Sequence, residues 1–140
     1  MDISLVIPAY NESGIIMDTI QTVSARLAEL TAEYEVLVVD DGSTDGMAEL
    51  VRGCGDPRVR LEGYASNRGK GCAVRTGMLA AQGDLILCTD ADLAYGVDVF
   101  AGLLERLRTG EADLVIGSRR MGGEGYKNYP PLRILMSKCF

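Results

Sequence analysis

Short apolar runs punctuate this chain, and between them lie stretches where apolar side chains return every three or four residues. The runs are Ile3–Ile7, Glu35–Val39, Val59–Tyr64, Leu85–Leu87 and Leu114–Gly117. Brief, mostly rich in branched side chains and bounded by Gly, Pro or Asp, they predict strands. Ile16, Ile20, Val23, Leu27 and Leu30 recur at helical spacing and predict a long helix from Ile15. Ser43 or Thr44 is expected to cap a short helix reaching Val51, and Gly83 to close one running from Cys72 to Ala81. Val97, Phe100, Leu104 and Leu107 share a face of a fourth helix. Pro8, which has no amide to donate, is expected to stop the first strand. Helices alternating with apolar strands predict an α/β fold with a largely parallel sheet covered on both faces. A single domain over 1–140 suits the length. Within it, 118–140 reads as a flexible segment that stiffens at Pro130-Pro131 and starts a helix at Leu132.

Polar residues collect where the strands end. Tyr10 and Glu12 follow the first strand, Asp40 and Asp41 the second, Asp90 and Asp92 the fourth, and Arg119 and Arg120 the fifth. In parallel sheets, ligands bind outside the carboxyl ends of the strands, so all four groups are expected at one crevice. Asp90 and Asp92 flank Ala91; if the strand continues through them, both carboxylates leave one face and converge on a hard cation. As turn formers or a helix cap they would need no ligand. Asp40–Asp45 fits a polar turn with a cap, although that leaves two adjacent acids before Gly42 unexplained. The Ser66–Gly71 loop either carries Lys70 to the crevice or is a simple tight turn. A Walker loop is excluded by Tyr64 and Gly71, and a dinucleotide fingerprint by Val74. Carboxylates for base or ribose hydroxyls, a divalent ion for a pyrophosphate and cations for the remaining charge would hold a nucleoside diphosphate.

Charge sharpens this picture. The net charge of −6 conceals nine basic against nineteen acidic side chains up to residue 116, and five basic against Glu124 alone beyond it. The final segment is therefore suited to an anion or an anionic surface, or else is a solvated basic face. With no histidine, and with Cys54, Cys72, Cys88 and Cys139 scattered, His-based catalysis, zinc and a disulfide framework are disfavoured. No run reaches membrane-spanning length and Met1-Asp2-Ile3-Ser4 lacks a basic leader, so a cytoplasmic protein is expected.

Several motifs, in order, resemble those of family 2 glycosyltransferases. They are Val6-Ile7-Pro8-Ala9-Tyr10-Asn11-Glu12, Val38 to Gly46, Asn67 to Arg75, Asp90-Ala91-Asp92-Leu93 and Val115-Ile116-Gly117-Ser118-Arg119. Within that family the polyprenyl- and dolichyl-phosphate glucosyl- and mannosyltransferases are most similar. The resemblance implies a GT-A fold, a Rossmann-like three-layer α/β/α arrangement. It also implies a UDP- or GDP-hexose donor and Mg²⁺ or Mn²⁺ held by Asp90 and Asp92. Donor contacts are implied for Pro8, Tyr10, Glu12, Val39, Asp41, Asp90, Ala91, Asp92 and Arg119, to which the reading of the edge adds Asp40 and Lys70. Asp92 and Arg119 are the expected catalytic pair. The chain departs from the family pattern at Ala94 and Gly96, and the family's catalytic domain is expected to continue beyond Phe140.

An acceptor that is a polyprenyl phosphate is already an anionic nucleophile, so inverting transfer would need no strong general base. Arg119, Arg120 and Lys127 are expected at that phosphate, with 118–140 approaching the membrane surface. Nothing in this set calls for a nucleic acid. Nucleotidyl or phosphoryl transfer on the same scaffold, a phospho-accepting module, and a nucleotide-sugar-binding fragment without activity are the competing readings.

Overall fold

In this computed structural model, residues 1–117 are described. Eight elements follow one another: β1 (Ile3–Ala9), α1 (Ile16–Leu30), β2 (Tyr34–Asp40), α2 (Met47–Arg52), β3 (Val59–Gly63), α3 (Lys70–Ala80), β4 (Leu85–Cys88) and α4 (Val99–Arg108). The four strands form one parallel sheet in the order β3-β2-β1-β4. The chain thus steps outward from β1 to β3, then crosses back to place β4 on the other side of β1. That reversal is a topological switch point, and in such sheets the ligand crevice lies outside the carboxyl ends of the two strands, here β1 and β4.

Alternate residues of the central strands sort the core into two layers. Leu5 and Ile7 of β1 and Val36 and Val38 of β2 pack with Ile16, Ile20, Val23 and Leu27 of α1, Met47 of α2 and Phe100 and Leu104 of α4. Val6, Leu37 and Val39 point the other way and pack with Ala73 of α3. Helices therefore cover both faces, as the three-layer expectation requires. α3 lies very close to the sheet, because a Cβ on Gly77 would sit 2.3 Å from Val6 Cγ1 and 2.9 Å from Val39 Cγ2. Gly77→Ala is expected to lower stability by about 1–3 kcal/mol through overpacking, measured by urea unfolding.

Several boundaries differ from expectation. β1 runs through Pro8, which is in register with Val39. Val6 accepts a hydrogen bond from Thr89 on the β4 side, whereas Ala9 accepts one from Asp41 on the β2 side. Pro8 shares the parity of Val6, and its missing amide faces the flank where β4 has already ended at Cys88. No ladder bond is lost, so the strand continues. α2 starts at Met47 behind Gly46, with no side-chain cap from Ser43 or Thr44. The expected fifth strand does not form: 114–117 is unpaired, and Leu114 and Ile116 are 73% and 77% exposed. An apolar run becomes a strand only beside a partner backbone, and none lies next to it among the described residues. The expected helix at Leu132–Phe140 lies outside the described residues.

Candidate nucleotide-binding edge

The crevice is built from turns that lock onto one another. At the end of β1, Asn11 adopts a left-handed backbone (φ 55°), which asparagine tolerates better than most residues. Its amide donates to Ser43 Oγ (2.9 Å), and its side-chain oxygen accepts from the Thr44 amide (2.8 Å). The Ser13 amide donates to Asp45 Oδ2 (2.8 Å). The β1 and β2 loops are therefore tied together, with Tyr10 46% exposed and Glu12 half-buried at their surface. Sequence placed Ser43 and Asp45 in a capped turn and Asn11 in a motif, without the bonds that join the two loops; an asparagine in a turn that could accept positive φ was the available signal.

Asp40 and Asp41 behave differently although they are neighbours. Asp40 ends β2 half-buried and accepts the Ser43 amide at Oδ1 (2.8 Å). Asp41 is 3% exposed and is held by three donors: Tyr64 Oη (2.7 Å), Asn67 Nδ2 (3.1 Å) and the Arg68 amide (2.8 Å). Burial pushes its carboxyl up, but hydrogen bonds, from the Arg68 amide first and then Tyr64, outweigh that and hold it below its usual range. Burial first, and then the Asp41 carboxylate, raise the Tyr64 phenol well above its ordinary value. Pro8 is buried beneath this edge and the Val39 side chain is turned into the α3 layer.

β4 ends at Cys88, so Asp90 and Asp92 lie in turns beyond the strand rather than on one of its faces. Leu93 takes a left-handed backbone (φ 48°), and hydrogen bonds from the Leu93 amide to the Asp90 carbonyl and from Gly96 to Leu93 close successive turns. Ala91 is buried, and its carbonyl accepts from Thr19 Oγ1 of α1 (2.6 Å), which pins the middle of the motif to the core. Asp92 is exposed and accepts the Ala94 amide at Oδ1 (3.1 Å), so it is indeed a turn former. α4 takes no side-chain cap, which removes the capping explanation for the pair. Asp90 meets the Lys70 ammonium at 2.6 Å, bringing the Ser66–Gly71 loop to the crevice.

Asp90 and Asp92 both supply carboxylate oxygens and both reach solvent, and no group of three or more His, Cys, Asp or Glu that could hold a metal forms among the described residues. Such a two-carboxylate set suits Mg²⁺ or Mn²⁺ completed by phosphate and water oxygens. A cavity of about 430 Å³ between Val51, Cys54, Pro57 and Leu61 lies at the other end of β3 and contains none of these groups. Arg119, Arg120 and Lys127 lie outside the described residues.

Sequence comparison decides the kinship of this edge. The family described as "Glycosyl transferase family 2" matches residues 4–139. The chain belongs to that family. It is 37% identical to the dolichyl-phosphate beta-glucosyltransferase ALG5C of Trichomonas vaginalis, over 98% of this chain and 44% of that protein. It is 33% identical to the dolichol-phosphate mannosyltransferase of Pyrococcus furiosus, over 99% of this chain and 39% of the relative. The chain thus spans about two fifths of the length of these curated relatives.

Solved structures agree on the fold. The mannosyltransferase PcManGT of Pyrobaculum calidifontis, in complex with GDP-Man and Mn²⁺, superposes with a TM-score of 0.62 at 30% identity, covering 75% of this chain and 32% of that one. Glucosyl-3-phosphoglycerate synthase of Mycobacterium tuberculosis, with Mn²⁺, UDP and glucosyl-3-phosphoglycerate, also gives 0.62 at 30% identity, covering 79% and 40%. The family 2 chain therefore has the GT-A α/β fold.

Proposed function

We propose that this chain carries the donor half of an inverting glycosyltransferase. That enzyme would move a hexose from UDP- or GDP-hexose to a polyprenyl phosphate of the dolichyl type. The observation that carries this reading is that one loop ties two of the strand-end acids together: Asn67 and the Arg68 amide hold Asp41, and Lys70 pairs with Asp90. The relatives named for transfer to dolichyl phosphate support the acceptor class.

Each group has a distinct task. Asp90 and Asp92 would hold Mg²⁺ or Mn²⁺, which when bound supplies Lewis-acid neutralisation of the leaving diphosphate. Tyr10 and Glu12, with Asp40 and Asp41, border the space for base and ribose, while Pro8, Val39 and Ala91 form its floor. Asp92 and Arg119 are assigned the catalytic positions, since both belong beside the diphosphate as charge develops there. Arg119, Arg120 and Lys127 would orient the acceptor phosphate, whose oxygen attacks the anomeric carbon from the face opposite the leaving group. The phosphate needs no proton removed near neutral pH.

Among the described residues no helix is long and apolar enough to cross a membrane. We assign the basic stretch 118–140 to the membrane surface, making the protein cytoplasmic and peripheral at the bilayer. With labelled GDP-mannose or UDP-glucose, Mn²⁺ and polyprenyl phosphate, label is expected in the lipid together with free nucleoside diphosphate. Release of hexose 1-phosphate would instead indicate nucleotidyl transfer, and transfer undiminished by chelation would contradict the metal-dependent reading.

A further inference from the structure

Lys70 is the first residue of α3, and its ammonium lies 2.6 Å from Asp90 Oδ1, contributed by a turn twenty residues further along the chain. A cation at a helix N-terminus faces the positive end of the helix dipole, so this position does not serve helix stability. No acidic residue occupies the first turn of α3 to compensate, and Gly69 before it offers no side-chain cap. What holds Lys70 in place is therefore the carboxylate that belongs to the candidate metal-binding pair. Both partners are open to water, with the Lys70 side chain 64% and that of Asp90 40% exposed. An ion pair this exposed is weak and exchangeable.

We infer that Lys70 is a resident counter-ion that a divalent metal displaces from Asp90 and that then pairs with the diphosphate of the incoming donor. The inference rests on the metal-dependent donor site proposed above and adds an order to its assembly. Without nucleotide, Lys70 competes with the metal for one carboxylate and repels it by its charge. With nucleotide, the phosphates complete the metal's ligand set and give the ammonium a new anionic partner, so metal and donor enter together. Lys70 is thus a positioning residue with opposite effects on the two ligands.

The purified protein is titrated with Mn²⁺, followed by electron paramagnetic resonance, in the absence of nucleotide. Lys70→Met is expected to tighten Mn²⁺ about two- to fivefold, the range an exposed ion pair supports. At saturating Mn²⁺ the same variant is expected to bind GDP and UDP about tenfold more weakly, having lost a charge-assisted bond to phosphate. Lys70→Arg, which keeps the charge, should stay near the native values. Lys70→Gln carries the same test should the methionine variant fail to give a native circular dichroism spectrum. Mn²⁺ affinity unchanged or weakened in the neutral variant overturns the inference. Asp92→Asn, measured in parallel, separates the two levels: if it loses Mn²⁺ while Lys70→Met is unaffected, only the role of Lys70 fails. Should Asp92→Asn keep full Mn²⁺ affinity, the donor-site reading itself fails.

Discussion

Replacing Glu35 by alanine is expected to destabilise the fold by about 3 kcal/mol, the low end of the range for breaking a buried ion pair. Glu35 is 1% exposed at the start of a central strand. Its Oε1 accepts Ser4 Oγ (2.5 Å) and the Gln82 amide (2.8 Å), and its Oε2 accepts Arg60 Nη1 (2.7 Å). These bonds join β2, β1, β3 and the turn that leads from α3 into β4. Gly83 in that turn sits so close that a Cβ would lie 2.5 Å from the Ser4 amide. Removal of the carboxylate leaves the Ser4 hydroxyl without its acceptor and the Gln82 amide with only its longer bond to Ser4 Oγ (3.1 Å), whereas the Arg60 side chain, 31% exposed, regains water and limits the loss. The thermal midpoint should fall by roughly 10 °C. A fall of less than about 3 °C would show that the network does not stabilise the sheet.

Titration provides a second check on the same residue. Burial pushes the Glu35 carboxyl up, but hydrogen bonds from Ser4, the Gln82 amide and Arg60 together hold it below its ordinary value of 4.5. A carboxylate depressed in the folded state stabilises fully above its unfolded value and loses that contribution as pH falls through the folded value. The stability gap between the native protein and Glu35→Gln should therefore be constant near neutrality and shrink below pH 4.5. A gap that widened on acidification would contradict the assigned direction.

Asp41→Ala is expected to cost about 2–3 kcal/mol, because the Arg68 amide loses its acceptor and the Tyr64 and Asn67 side chains must find water. The loop they anchor is tightly fitted: a Cβ on Gly42 (φ 77°) would lie 2.6 Å from the Asn67 nitrogen. Since this loop launches α3 at Lys70, its loosening should weaken nucleotide binding as well as lowering the midpoint by roughly 8 °C. Asp40→Ala, which removes one acceptor for the Ser43 amide, should move the midpoint by no more than about 3 °C. Equal shifts in the two variants would contradict the distinction drawn between these neighbours.

The strands that could be read from sequence are those whose burial leaves a local record. Val36 to Val39 and Leu5 to Ile7 are apolar on successive positions because both faces of the sheet are covered. Pro8 misled, since only the order of strands reveals that its missing amide points past the end of β4. Leu114–Gly117 misled for the related reason that pairing is a property of the neighbour, not of the run. Asp90 and Asp92 were conspicuous because acids after an apolar run are hard to explain by packing. Their turn geometry was not, since it depends on Leu93 accepting positive φ and on Thr19 reaching Ala91 from α1. Glu35 passed as a strand's first residue; its partners lie 31, 25 and 47 positions away. An acid at a strand position flanked by buried apolar residues was the sign that a counter-charge must be near.

The central claim is that the crevice between β1 and β4 is a metal-dependent nucleoside diphosphate site. Calorimetric titration of GDP and UDP in Mn²⁺ and in chelator tests it most directly, using the native protein and Asp92→Asn. The account predicts binding of at least one nucleotide by the native protein that weakens at least about tenfold in chelator, because one carboxylate alone is a poor site for a hard cation. Asp92→Asn should bind that nucleotide as weakly in Mn²⁺ as the native protein does in chelator. Native affinity that is the same in chelator as in Mn²⁺ would contradict the account.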